Sequence, residues 1–136
     1  MDYEPAKKTV IVREYLLDVG KVQVYDNYMV AIFDEGATLT LERAYQIIGI
    51  SEIHFRDRNF GYVSNRINSY AIDPTVYTYL RQLENLKAFA IVSNKEVDIH
   101  NFHIEKLFYK NAMKLFLDYQ KAVNWVRKKV IMSNPA

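Results

Sequence analysis

The sequence predicts an α/β domain with a mixed, mostly parallel β-sheet, an antiparallel hairpin at its N-terminal edge and about four packed helices. The first observation is the run Leu86–Val92, which is short, nearly all apolar and bounded by polar residues, as in a strand buried on both faces. The second is that helically spaced segments precede and follow this run, which favours a parallel sheet covered by helices. The third is the pair Val22–Tyr25 and Tyr28–Phe33, which Asp26-Asn27 joins as a tight hairpin.

Composition limits the class of protein. The chain has 136 residues, of which 50% are hydrophobic and 25% charged, as expected for one globular domain. It contains no cysteine, which excludes disulfides and cysteine-ligated metals and fits a reducing compartment. The first residues, Met1 to Pro5, lack the features of a signal peptide, and no apolar run approaches the roughly 20 residues that span a bilayer. We therefore expect a cytoplasmic protein without a transmembrane segment.

The N-terminal half begins with residues 1–8, which are polar and are predicted to be a flexible segment. One domain is predicted over residues 9–131, and it starts with a β-like stretch from Thr9 that leads into the hairpin. Thr40 is a good cap for the first helix, and Glu42 suits the positively polarised first turn. Gly49 is predicted to end this helix. His54 to Asn59 is predicted to be a charged connection, and Gly61–Ser64 a short strand.

The C-terminal half alternates helices and strands. Asp73-Pro74 predicts a helix start, and this second helix is expected to reach Glu84. After the strand Leu86–Val92, a third helix is predicted from Ile99 to Tyr109, and another short strand follows it at residues 113–117. The third helix is expected to bury Phe102, Leu107 and Phe108 or their helical neighbours. Asp118 is expected to cap the last helix, and residues 132–136 are predicted to be a polar tail.

Several packing positions resemble those of stand-alone STAS domains, the group that includes the anti-sigma-factor antagonists (SpoIIAA-like folds). They cover nearly the whole chain: Val22–Phe33, Gly36-x-x-Leu39-Thr40, Leu86–Val92, Phe108, Lys114-Leu115-Phe116 and Ala122-Val123-x-Trp125-Val126. The resemblance implies a SpoIIAA-like sheet and a regulatory role exerted through a protein partner. In that family an Asp-Ser-Ser-Gly motif at the start of the second helix carries the phosphorylated serine. This chain has Asp73-Pro74-Thr75-Val76 there, so a serine phospho-switch is not expected.

Other residue patterns favour structural roles over chemistry. His100 and His103 would share a helix face near Asp98 and Glu105, but real metal sites demand more ligands and support, so a solvated pair is predicted. Arg127-Lys128-Lys129 is expected to close the last helix, where cations complement the helix dipole. Three adjacent cations and a net charge of +2 do not indicate nucleic-acid binding. No nucleophile, phosphate loop or carboxylate pair predicts an enzyme, a metal site or a cofactor.

The carboxyl ends of the parallel strands are the predicted working face, because open α/β sheets bind ligands and partners there. Three loops would supply this rim with polar side chains, namely Asp34, Glu35, Asn65, Arg66, Asn68, Ser93 and Asn94. Two roles for Arg66 stay open. It pairs with Asp34, Glu35 or Asp73 as an internal brace, or it projects outward to meet an anionic partner.

The function expected from these features is a non-enzymatic regulatory domain of the STAS type that acts through a protein partner. The alternative is a small-molecule or lipid-binding domain on the same scaffold, which an apolar cleft lined by tyrosines would favour and a closed core would disfavour. A homodimer is compatible with either function.

Overall fold

The computed structural model of the chain describes residues 10–134. The predicted flexible segment 1–8 and the last two residues of the predicted tail lie outside the described residues. The strands are β1 (Arg13–Leu17), β2 (Gly20–Val24), β3 (Tyr28–Phe33), β4 (Thr38–Leu39), β5 (Phe60–Asn65), β6 (Ala71–Ile72), β7 (Leu86–Val92) and β8 (Met113–Phe116). The helices are α1 (Leu41–Phe55), α2 (Thr75–Leu80), α3 (Glu96–Tyr109) and α4 (Tyr119–Ser133). This α/β architecture confirms the predicted fold class.

The main sheet has six strands in the order β1-β2-β3-β5-β7-β8. The first three pair antiparallel, and β3, β5, β7 and β8 pair parallel. The predicted hairpin corresponds to β2 and β3, and the predicted buried strand to β7. A separate pair of short parallel strands, β4 and β6, was not predicted. The carboxyl ends of β3, β5 and β7 therefore lie side by side, which brings the three predicted rim loops to one edge.

Helices cover the sheet on both faces. Along β7, alternate side chains enter two different apolar clusters, as the period of a strand dictates. Phe89 and Ile91 belong to the cluster that contains buried residues of α1, α2 and α3. Ala88 and Ala90 belong to the cluster of α4. The six buried residues of β7 explain why its sequence is nearly all apolar.

Gly61 on β5 allows α4 to approach the sheet closely. A Cβ atom at this position would lie 2.1 Å from Cγ1 of Val126 and 3.3 Å from Cγ2 of Val130. Both valines are almost completely buried, so neither can move away without disturbing its own packing. Glycine is needed here for space rather than for its backbone freedom.

We expect Gly61→Ala to lower the free energy of unfolding by about 1–3 kcal/mol, the usual cost of overpacking a core. The matched control is Gly49→Ala, because Gly49 lies inside α1 and a Cβ atom there meets nothing within 4 Å. This control should raise stability by up to about 1 kcal/mol, since alanine is the better helix former. Urea denaturation measures both. Equal effects of the two variants would contradict the close packing of α4 on β5.

Several predicted boundaries are wrong. Gly49 does not end α1, which continues to the fully buried Phe55 because the last turns also contribute to the core. Residues 81–85 leave the helical path after α2, and Asn85 holds them in place by donating to the carbonyls of Arg56 and Arg58 at 2.8 and 2.9 Å. α3 begins at Glu96, three residues before the predicted start.

The charged tripeptide Arg127-Lys128-Lys129 does not close the last helix. α4 continues to Ser133, and none of its basic side chains lies in the last turn. The prediction failed because Ile131 and Met132 are exposed and lie outside the buried apolar stripe of α4. The helical spacing of that stripe therefore did not indicate that the helix continues through them.

Candidate functional site

The buried side of α3 matches the prediction only in part: Phe102 packs against the core, and Tyr109 rather than Leu107 or Phe108 is fully buried. Asp98, Glu105 and Tyr109 are its buried residues. Leu107 and Phe108, predicted to be buried, are 72% and 40% exposed. The helix thus turns two carboxylates inward beside Tyr109 and leaves four apolar side chains at the surface: Val97, Ile104, Leu107 and Phe108. An ionised carboxylate is rarely buried without a partner, so the inward face requires a cation.

Arg66 supplies that cation from the residue that follows β5. Its Nη1 donates to Oδ1 of Asp98 at 3.4 Å, and its Nη2 donates to Oε1 and Oε2 of Glu105 at 3.3 and 3.2 Å. Nη2 also donates to the Tyr77 hydroxyl at 3.1 Å, and Nε donates to Oγ of Ser64 at 3.3 Å. The side chains of the three charged residues are only 5–10% exposed. This is an internal ion triad that joins α3 to β5.

The triad identifies which of the two roles of Arg66 holds in the structure. Arg66 is an internal brace, but its carboxylate partners are Asp98 and Glu105 rather than the predicted Asp34, Glu35 or Asp73. In the sequence, these two acidic residues stand out only as neighbours of the His100 and His103 pair. Their spacing of seven residues puts them on one side of a helix, which was the available indication that they act together.

Further polar contacts hold the triad in place. Ser93 Oγ donates to Oδ2 of Asp98 at 2.6 Å, so a residue at the end of β7 fixes the second carboxylate oxygen. The guanidinium of Arg66 lies 5.3 Å from the centre of the Tyr70 ring. The Tyr70 hydroxyl lies 2.6 Å from Oγ of Ser64. The carboxyl ends of β5 and β7 are therefore linked to α3 by hydrogen bonds as well as by charge.

The electrostatics of the triad keep the guanidinium charged and the nearby phenols neutral. Burial by itself would lower the pKa of Arg66, but Tyr70, Tyr77 and Glu105 outweigh it and raise the pKa above its usual value. Burial raises the pKa of Tyr77 well above 10, although Arg66 opposes the shift. Burial also raises the pKa of Tyr62. Tyr77 is therefore a neutral hydrogen-bonding group at physiological pH.

A surface cleft of about 260 Å³ opens above the triad, between α3 and the segment that contains β6 and the start of α2. Its floor consists of the triad and Tyr77. Its walls are mostly apolar or aromatic and comprise Tyr70, Ala71, Ile72, Pro74, Ile104 and Phe108, with Asn101 as an added polar group. All donors of the guanidinium except one Nη1 hydrogen point to the partners described above. A molecule in the cleft would therefore meet carboxylate oxygens and apolar walls, because the guanidinium is largely occupied by its internal partners.

The predicted rim residues gather at one edge of the sheet, where two of them take part in the triad contacts and two others support the loops. Oε1 of Glu35 accepts from the backbone N–H of Ser69 at 2.9 Å, and Nδ2 of Asn68 donates to the Phe33 carbonyl at 3.0 Å. Asp34 and Asn94 are exposed at this edge, and Asn65 is half-buried.

The remaining candidates occupy other parts of the surface. His100 and His103 are exposed, and residues 10–134 contain no cluster of three or more His, Cys, Asp or Glu side chains suited to a metal ion. Nε2 of His54 lies 2.7 Å from the Tyr15 hydroxyl, so this histidine ties α1 to β1. Among the described helices, none is both long and apolar enough to cross a bilayer.

Comparisons with protein-family models, curated proteins and solved structures gave no match to this chain.

Proposed function

We propose that this chain is a non-enzymatic regulatory domain of the STAS type that binds a protein partner through α3. The contact surface, called the α3 face below, is formed by the exposed apolar side chains Val97, Ile104, Leu107 and Phe108. At 100° per residue these four lie on one side of the helix, next to the cleft above the triad.

The exposed apolar side of α3 is the observation that carries the proposal. Val97 is 56% exposed and Ile104 is 49% exposed, while Asp98 and Glu105 are buried beside them. Folding of the domain alone gains nothing from apolar side chains in water. A contiguous apolar patch with polar neighbours is typical of a protein-binding surface. A partner that covered the α3 face would remove these side chains from water, and the favourable free energy of that transfer would stabilise the complex.

The position of the family's phospho-acceptor supports a role without a serine switch. Oδ1 of Asp73 accepts hydrogen bonds from the backbone N–H and the hydroxyl of Thr75, at 3.0 and 2.9 Å. The hydroxyl at the start of α2 thus completes a local turn. Regulation through α3, which lies on the neighbouring βα unit, does not depend on modification of this residue.

Lipid carriage inside the domain is the less favoured function. The apolar space between α1, α2 and the sheet holds only about 20 Å³, roughly the volume that one water molecule needs. The cleft above the triad is the feature that favours a small ligand. Its volume of about 260 Å³ lies just below the usual range of ligand pockets, about 300–1,000 Å³. A protein side chain entering this cleft fits the same space.

The test places a photocrosslinking residue at Leu107, which is 72% exposed, in cells that produce the protein. The control places it at Ile53 on α1, which is 66% exposed and equally apolar. We expect a discrete protein adduct at position 107 only, and an excess of the untagged domain should compete it away. Adducts between two copies of the domain would identify the partner as a second copy.

Ile104→Ser with Val97→Ser removes apolar contact area without touching the triad. We expect this variant to keep the melting temperature of the parent and to compete at least about tenfold less well, as for residues at an interface hot spot. Equal labelling at positions 53 and 107, or full competition by the double variant, would rule out the α3 face as the partner surface.

A further inference from the structure

The last helix, α4, carries an unbalanced charge. Four of the chain's 18 Lys and Arg residues lie on it and none of its 16 Asp and Glu residues: Lys121, Arg127, Lys128 and Lys129. The rest of the chain therefore has more carboxylates than cations. The inward side of α4 is apolar and buried, so the charge lies on the sides that face away from the sheet.

The helix dipole does not account for these cations. Its effect is confined to the first and last turns, and the last turn of α4 has no basic residue. Lys121 even lies in the first turn, where a positive charge is unfavourable. Asp118 caps this end by accepting a hydrogen bond from the Lys121 backbone N–H at 2.9 Å. The helix dipole therefore does not explain the exposed cations Lys121 and Lys128.

The outward side of α4 combines cations with apolar side chains in one stripe. Lys121, Trp125, Lys128 and Met132 follow each other at spacings of four, three and four residues, which places them on one side of a helix. Lys121 and Lys128 are exposed, Trp125 is half-buried, and Met132 is 71% exposed. Ile131, which is 59% exposed, lies next to the stripe.

The basic surface extends from α4 onto the edge strand β8. The Trp125 ring packs on the Phe116 ring with 5.6 Å between their centres. Nζ of Lys129 lies 6.0 Å from the centre of the Trp125 ring, and Nζ of Lys114 lies 5.3 Å from that of Phe116. Two aromatic rings are thus flanked by two cations. We call this surface the α4 basic face and define it as Lys114, Lys121, Trp125, Lys128, Lys129, Ile131 and Met132.

We propose that the α4 basic face docks on the surface of an anionic lipid membrane. Cations interact with anionic headgroups, and aliphatic side chains together with a tryptophan enter the headgroup–acyl boundary. Nucleic acid fits the surface less well. Phosphates gain nothing from Ile131 and Met132, and Phe116 and Lys129 already lie against the Trp125 ring on which a base would stack. The proposal concerns a second surface and is independent of the α3 face.

Sedimentation with lipid vesicles tests the proposal on the purified chain. We expect binding to phosphatidylcholine vesicles that contain phosphatidylserine, weak binding to phosphatidylcholine alone, and loss of binding as salt rises. Lys121→Glu with Lys128→Glu should lower the partition coefficient by at least about 25-fold, because each cation near an anionic surface contributes roughly a factor of five. The matched control is Lys106→Glu with Lys110→Glu, which reverses two exposed cations, one in the last turn of α3 and one at its C-cap.

A third variant separates insertion from charge attraction alone. Ile131→Ser with Met132→Ser leaves the charge unchanged and should weaken vesicle binding severalfold. The membrane proposal is overturned if the parent fails to bind vesicles with phosphatidylserine, or if the α3 control loses as much binding as the α4 variant. It is equally overturned if a single-stranded oligonucleotide or polyglutamate binds the parent while the vesicles do not. Unchanged melting temperatures ensure that each result reports on the surface.

Discussion

Arg66→Ala is expected to lower the free energy of unfolding by about 3–5 kcal/mol, because it leaves two buried carboxylates without their cation. The expectation rests on Asp98 and Glu105, whose side chains are 10% and 9% exposed and cannot turn to water while α3 stays in place. Urea denaturation followed by far-ultraviolet circular dichroism measures the loss. Hydrogen exchange should show that α3 loses protection first, since the triad is its main polar contact with β5.

Two variants distinguish burial from charge as the cause. Arg43→Ala breaks an ion pair of similar length, 3.3 Å to Asp18, but the two side chains are 33% and 58% exposed. We expect it to cost less than about 1 kcal/mol. Arg66→Met combined with Asp98→Leu and Glu105→Met replaces all three charged side chains by apolar ones and should recover much of the loss, as buried ion networks do when every member is replaced. An Arg66→Ala variant as stable as Arg43→Ala would contradict the buried triad.

Ala90→Asp is expected to leave the protein unfolded or insoluble. Ala90 lies on β7, has no exposed surface and faces the apolar cluster of α4. A lone buried carboxylate costs several kcal/mol, which is comparable to the whole stability of a domain, about 5–15 kcal/mol. The matched control is Lys114→Asp, because Lys114 is the register partner of Ala90 on β8 and is exposed. A parent-like melting curve for Ala90→Asp would show that β7 is not a buried strand.

The sequence predicts the framework of this fold because apolar periodicity is a local property. Leu86–Val92 could be placed from its own residues, and the hairpin of β2 and β3 from the Asp26-Asn27 turn between two apolar runs. The end of α1 could not be placed from Gly49. A glycine inside a helix costs only about 1 kcal/mol, which the burial of Ile50 and Phe55 outweighs.

The candidate site was only partly predictable, because its partners are distant in the chain. Arg66 was identified as a brace candidate, but Asp98 and Glu105 follow it by 32 and 39 residues. On apolar pattern alone, α3 buries Phe108 and exposes Glu105, and the observed arrangement is the reverse. The buried Arg66 makes it favourable for α3 to turn its carboxylates inward. The sequence of α3 alone does not contain that information, because Arg66 lies in a different part of the chain.

The order of the strands in the main sheet also determines how the chain can fold as it is synthesised. Each strand lies beside the one made before it, so a chain that emerges from the ribosome can add β-strands in the order of their translation. α4 is made last and must return to β5 in the middle of the sheet, where Val126 packs over Gly61. Until residues 119–133 emerge, Val63, Ala88 and Ala90 face water on a sheet that is otherwise complete. The nascent domain therefore exposes one apolar face of its sheet until α4 is made, and a chaperone bound to that face would protect it during this interval.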